Sequence, residues 1–185
     1  MTIKPNFHSQ CVLLKNKKQV VIREAQPEDA LALIQLIQTY LEDSEYIPLE
    51  PAEFTKTEEE GVHWITSLQT ASNSLFLLAE YEGRIIGNLD LTGHGRKALQ
   101  HTAILGMGML KEWRGCGLGT ALVCQAMDWA KQQRQLELIW LQVYEENKAA
   151  IALYQKHGFT TIGIMPAFIK ANHRYYNNQI MQVQL

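Results

Sequence analysis

Apolar residues follow two rhythms along this chain. Short apolar runs bounded by turn residues, at 10–14, 19–24, 75–81, 84–91, 102–110, 138–144, 159–165 and 174–185, read as strands. Between them the apolar positions recur every three or four residues, as amphipathic helices require. Pro27 stands at one helix start, and Leu31, Ile34, Ile37 and Leu41 continue its face. Thr57 with Glu60 forms a capping-box pattern ahead of Val62, Ile65 and Leu68. From Gly117 the residues Leu118, Ala121, Leu122, Ala126, Trp129 and Ala130 share one side of a long helix. A last helix runs over 147–157, with Asn147 as N-cap and Gly158 as its stop. The predicted order is β-β-α-α-β-β-β-α-β-α-β-β, an α/β protein of the α+β, mixed-sheet kind. Lys15–Lys18 turns the opening hairpin and Glu82-Gly83 the next, while 42–54 and 92–100 read as loops.

The chain has 185 residues, 46% hydrophobic and 19% charged, enough for one real core. No Pro/Gly/Ser-rich linker or repeat divides it, so residues 1–185 read as a single domain, with 1–19 an N-terminal extension or opening hairpin strand. A net charge of -2 gives no bulk attraction for nucleic acid or anionic membrane, and Lys15, Lys17 and Lys18 alone do not make a nucleic-acid motif. Three cysteines, with no CxxC or clustered Cys/His spacing, argue against a disulfide framework or a zinc site. Without an apolar leader or a membrane-length apolar run, the expected compartment is the cytoplasm.

Two features carry chemistry. Gly106 and Gly108 alternate within a strand, where glycine weakens pairing unless something approaches closely, so they suggest a binding edge. The stretch 110–120, Leu-Lys-Glu-Trp-Arg-Gly-Cys-Gly-Leu-Gly-Thr, joins that strand to a helix. Its glycines free the backbone to turn, its first helical N–H groups point outward with the positive end of the helix dipole, and Arg114 puts a charge at the mouth. Such a turn suits phosphate oxygens. It also reads as a turn that merely needs positive φ. No lysine followed by Ser/Thr comes after the last glycine, and a dinucleotide GxGxxG context is missing.

Arg114-Gly115-Cys116-Gly117-Leu118-Gly119 resembles the Arg/Gln-x-x-Gly-x-Gly signature of the GNAT superfamily of N-acetyltransferases. The stretch 147–159, Asn-Lys-Ala-Ala-Ile-Ala-Leu-Tyr-Gln-Lys-His-Gly-Phe, resembles that family's second conserved block. The resemblance implies a central, mostly antiparallel sheet splayed between the strands at about 102–110 and 138–144, with helices on both faces. It implies acetyl-CoA as co-substrate, with no metal. The pyrophosphate would rest on the amides of Arg114, Gly115, Cys116, Gly117, Leu118, Gly119 and Thr120, and the pantetheine arm and acetyl carbonyl on backbone at Met107, Met109 and Leu110. Asn147 would contact the coenzyme near its thiol, a role compatible with capping. Tyr154 would protonate the departing thiolate, its phenol being neutral at pH 7; it also reads as a packed aromatic.

The acceptor implied is a primary amine, small-molecule or peptide, and its proton needs a base. Where histone-modifying members carry a glutamate this chain has Ala103-Ile104, and where relatives acting on ribosomal-protein N-termini have one it has Leu141-Gln142-Val143. His94, His101 and Glu145 remain as candidates. The acidic tract Glu42-Asp43-Ser44-Glu45-Tyr46, with Glu50 and Glu53, would attract a cation or simply face solvent. Dimers are common among such enzymes, and no segment here specifies one. The missing carboxylates leave open a second reading, an acyl-CoA-binding sensor or interaction module without transfer activity.

Overall fold

The computed structural model describes residues 7–185; the first six residues of the expected N-terminal extension lie outside the described part. The elements follow in the predicted order: β1 (Gln10–Leu13), β2 (Gln19–Glu24), α1 (Ala30–Glu42), α2 (Glu58–Thr70), β3 (Leu75–Tyr81), β4 (Arg84–Gly93), β5 (Thr102–Met109), α3 (Leu118–Lys131), β6 (Leu138–Tyr144), α4 (Lys148–Lys156), β7 (Thr160–Ala171) and β8 (Arg174–Gln184). One eight-stranded sheet runs β1-β2-β3-β4-β5-β6-β8-β7. Every neighbouring pair is antiparallel except β5 with β6.

That parallel pair opens the molecule. β5 and β6 are in register only over Thr102–Ile104 against Leu138–Trp140. Beyond this point Leu105–Met109 keeps its partner on β4 and 141–144 keeps its partner on β8, and the two strands part. α1 and α2 cover one face of the sheet: Tyr40 lies over Gly108 and Trp64 over Phe76, with rings 4.8 Å apart in the second case. α3 and α4 cover the other, with Leu118 reaching Gly87 and Leu153 reaching Gly119. The fully buried residues Leu77, Leu89, Leu91, Leu122 and Val123 lie within the core, and their removal from water is the main term holding the layers together.

The local signals hold where chemistry enforces them. Glu60 N–H donates to Thr57 Oγ1 at 3.2 Å and Thr57 N–H to Glu60 Oε2 at 2.7 Å, completing the capping box. Glu82 and Gly83 turn the β3–β4 hairpin at φ 49° and 78°. Two expectations change. Leu31 is 48% exposed, because the inner face of α1 is Ala30, Leu33, Ile34, Ile37 and Leu41; a 3-10 turn over Pro27–Asp29 sets the helix phase. The seventh strand does not stop at 165. It bulges at Pro166, which has no N–H to give, and resumes to Ala171, while Ala167 N–H donates to Asn177 Oδ1 at 2.9 Å.

Candidate active site

The parted strands frame a cleft of about 1040 Å³. One end of it is the 110–120 turn. Gly115 and Gly117 have φ of 74° and 97°, conformations that side-chain-bearing residues rarely adopt, and Gly117 is the N-cap of α3. Among the described residues no protein side chain takes a hydrogen bond from the amides of Gly115 to Thr120, so the donors at the start of α3 are uncapped by the protein itself.

The predicted site residues divide into three groups. Met107, Met109, Arg114, Gly115, Gly117, Gly119, Thr120, Asn147 and Tyr154 line the cleft. Leu110 and Leu118 turn their side chains into the core, 2% and 0% exposed, and the Leu110 N–H is spent on Ile86 O at 3.0 Å. Cys116 faces away too: its thiol donates to Trp113 O at 3.0 Å and its carbonyl accepts from Lys15 N–H at 3.0 Å.

Arg114 departs from its expected role as a charge offered to phosphate. Its guanidinium is paired with Asp43 Oδ1 at 2.5 Å and reaches Met109 O at 3.3 Å, so it ties the end of α1 to the end of β5. Lys15 stands nearer the cradle. Its stem packs over Gly117, with Cγ 3.6 Å from where a Cβ would stand, and it lines the cleft. The sequence marked Lys15 only as a hairpin residue; no local signal says that the hairpin tip folds onto a turn a hundred residues away.

Also lining the cleft, Asn147 caps α4 as expected, its Oδ1 accepting from Ala150 N–H at 3.1 Å. Two helical turns on from Asn147, the Tyr154 ring is 7% exposed and packs against Phe159 with centroids 5.7 Å apart. Burial pushes its phenol up to about 12, so it stays protonated throughout the neutral range. The wall facing α4 carries Tyr40, Ser44, Glu45 and Tyr46, together with Tyr144, whose ring meets that of Tyr46 at 5.7 Å. Of the acidic tract, Asp43 and Glu45 line the cleft, Asp43 being held by Arg114, and Glu53 caps its own turn through Glu50 N–H at 2.8 Å.

None of the three candidate bases lines the cleft. His94 N–H donates to Thr102 O at 3.4 Å and His101 O accepts from Glu137 and Leu138, at the end where β5 and β6 are still joined. Glu145 Oε2 is occupied by Asn177 Nδ2 at 2.7 Å.

Gly106 and Gly108 line the cleft, as a binding edge would. The room left by their missing side chains is filled by the protein. A Cβ at 108 would stand 2.7 Å from the Tyr40 hydroxyl oxygen, and one at 106 would stand 2.8 Å from Asp90 Oδ1. Asp90 does not itself line the cleft but stands against Gly106, which does, and sequence reading missed it, since a single acid in an apolar strand carries no motif.

A splayed sheet, uncapped amides and a buried phenol meet in one cleft. The conserved pattern of the acetyltransferase (GNAT) family matches residues 34–159, more than half of the chain. The chain belongs to the GNAT acetyltransferase family. Within this GNAT frame the protein is an acyltransferase. It is 26% identical to the L-amino acid N-acetyltransferase AaaT of Escherichia coli (strain K12) over 105 residues, 57% of this chain and 65% of that protein. The GNAT-family acetyltransferase of Streptococcus pneumoniae is 28% identical, with a TM-score of 0.87 over 90% of this chain and 99% of its own. A GNAT phosphinothricin acetyltransferase from Sinorhizobium meliloti, solved in complex with AcCoA, shares the fold at 19% identity and a TM-score of 0.79, over 90% of this chain and 88% of its own. Among the described residues no helix is long and apolar enough to cross a membrane.

Proposed function

We propose that residues 1–185 act as one acyltransferase domain that moves the acetyl group of acetyl-CoA to a primary amine by direct attack, through a tetrahedral intermediate and without a covalent enzyme species. One observation carries this reading: the uncapped amides of 115–120 and the buried Tyr154 line one open cleft. Diphosphate oxygens would take up the amides and the dipole end of α3, with Lys15 adding charge beside them. The pantetheine arm would lie along Met107 and Met109 in the gap between β5 and β6, where strand backbone has no neighbouring strand to bond. Backbone N–H on that edge would polarise the acetyl carbonyl as charge develops on its oxygen.

Tyr154 is the proton donor to the leaving thiolate. The desolvation that keeps the phenol neutral also makes a bare thiolate costly beside it, and protonating sulfur removes that charge once the attacking nitrogen has returned a proton to the phenol. The amine would enter past Glu45 and Tyr46, a carboxylate and an aromatic edge suited to a cationic ammonium group. The likeness to AaaT makes amino acids the first acceptors to try.

The test pairs calorimetric binding of CoA with thiol release against a panel of amino acids, polyamines, amino sugars and short peptides, the product being identified by mass spectrometry. Tyr154→Phe should lower kcat about 10²-fold with the CoA Kd unchanged, the usual weight of a positioned acid. Unchanged turnover refutes its role. Tight CoA binding with no turnover on any amine is the behaviour of an acyl-CoA-binding module, and refutes the transferase reading.

A further inference from the structure

The amine that attacks a thioester is an ammonium ion in water and must give up a proton, yet His94, His101 and Glu145 all lie off the cleft. Asp43 and Glu45 line the cleft, Asp43 held by Arg114, and one further carboxylate stands behind its wall. Asp90 sits on β4 in register with Gly106 of β5, and Gly106 is in the cleft wall. Because residue 106 has no side chain, Asp90 Oδ1 approaches the bare Cα from the α1 side, the side on which Tyr40 and Glu45 line the cleft. The carboxylate is aimed. Thr92 Oγ1 donates to its Oδ2 at 2.7 Å, leaving Oδ1 turned toward Gly106.

No ion pair gives this carboxylate a structural purpose. Among the described residues no lysine, arginine or histidine pairs with it. Its flanking groups are Phe76 on β3, Gly106 on β5 and Tyr40 on α1, of which only Tyr40 titrates. Burial and the charge of Asp90 both hold that phenol neutral. An uncompensated carboxylate in such surroundings weakens a fold, and such groups cluster where chemistry is done.

We propose that Asp90 is the base that takes the proton from the acceptor ammonium, across the gap left by Gly106. This rests on the transferase reading above. The proton count closes as follows. Asp90 carboxylate accepts one proton from R–NH3+, the free amine attacks, and the N–C bond forms as the carbonyl oxygen becomes an oxyanion. When that oxyanion collapses the C–S bond breaks, Tyr154 protonates the thiolate, and the second nitrogen proton restores the Tyr154 phenol. Asp90 then returns its proton to solvent, so each turnover yields amide, thiol and one proton. Burial, which pushes the Asp90 carboxyl up to about 6 against the hydrogen bonds from Thr92 and its own amide, narrows its mismatch with an amine and favours transfer.

Three measurements on the intact protein decide it. Wild-type kcat/KM for the amine should fall on the acid side with an apparent pKa near 6, and a carboxyl signal in the 13C NMR spectrum of ligand-free protein should titrate there and vanish in Asp90→Asn. Asp90→Asn, which can still accept from Thr92, should lose about 10²-fold in kcat/KM together with the acid limb, while its CoA Kd stays unchanged. Thr92→Val removes a hydrogen bond that favours the ionised form, so it should move the acid limb to higher pH. Asp90→Asn at full rate, or a limb that Thr92→Val leaves in place, overturns the proposal. If Asp90→Asn fails to fold, the Thr92→Val limb and the NMR titration decide alone. Wild-type protein that binds CoA but acetylates no amine overturns the transferase reading and this inference with it, whereas active wild type with an indifferent Asp90→Asn overturns this inference only.

Discussion

Asp90→Asn also makes a prediction that needs no substrate. Burial raises the folded-state pKa of Asp90 from the ordinary 3.8 to about 6. A carboxyl whose folded pKa lies above its unfolded value binds the proton more tightly in the native state. Its contribution is therefore fully present below pH 3.8 and is lost as pH rises to about 6. At about 1.4 kcal/mol per pH unit, the loss across that window is about 3 kcal/mol, a ceiling for what the ionised carboxylate costs at neutral pH. Asparagine keeps the Thr92 bond but brings its own amide to bury, so we expect Asp90→Asn to be more stable than wild type by about 2 kcal/mol at pH 8, raising Tm by roughly 4–8 °C for a chain of this size. The assay is urea unfolding of both proteins from pH 3.5 to 8, followed by circular dichroism. Effects of the other carboxylates are common to both proteins and cancel in the difference. The gap should be smallest at the acid end, widen up to about pH 6, and stay flat above it. A gap independent of pH, or wild type being the more stable at pH 8, would show that Asp90 is not desolvated as described. A variant that gains stability while losing turnover is the trade expected of a group retained for chemistry.

Other consequences follow from the same packing. Gly108→Ala puts a methyl group against the Tyr40 ring and should cost about 1–3 kcal/mol in urea unfolding, whereas Gly95→Ala, with nothing within 4 Å, should stay within about 0.5 kcal/mol. Arg23 donates to both Asp29 oxygens at 2.7 and 2.8 Å and to Glu80 at 2.9 Å. Although desolvation acts to raise it, the Asp29 carboxyl is held below its ordinary 3.8 by Arg23 and by Gln26 N–H. That contribution is present above pH 3.8 and lost as pH falls through the lower folded value, so Asp29→Asn should cost about 2 kcal/mol at pH 7 with the difference shrinking below pH 3.8. Lys15→Met should weaken CoA binding about 5-fold at low salt in calorimetry, and less at high salt, because its ammonium is screened there.

The order of elements was legible because each is specified locally. Thr57 and Glu60 cap one helix, Asn147 and Gly158 bracket another, and Glu82-Gly83 closes a hairpin, each by contacts that span a few residues. The glycine turn was legible for the same reason, its geometry being a property of 115–120 alone. The apolar run ends at 165, but the seventh strand resumes beyond a bulge at which Ala167 N–H donates to Asn177 Oδ1, ten residues away in the chain, a contact that no local pattern announces.

The charges around the cleft were read less well, and in one consistent direction. Arg114 carries a motif position, yet its guanidinium is neutralised by Asp43, 71 residues away in sequence, while Lys15, in no motif, leans on the cradle from a hairpin at the far edge of the sheet. Motifs record where backbone must turn; they do not record which side chain another element will pair with. The glycines of β5 show the same limit. Alternate glycines signal that something must come close to the strand, and the sequence suggested a ligand. The groups that come close are Tyr40 and Asp90, from a helix and a strand that only tertiary packing brings together. A strand left bare on the side facing Asp90, and parted from β6 on its other edge, leaves backbone, carboxylate and cleft as neighbours with no side chain between them. That juxtaposition offers a place for the amine's proton in a chain that lacks the family's usual carboxylates, and only the folded arrangement could reveal it.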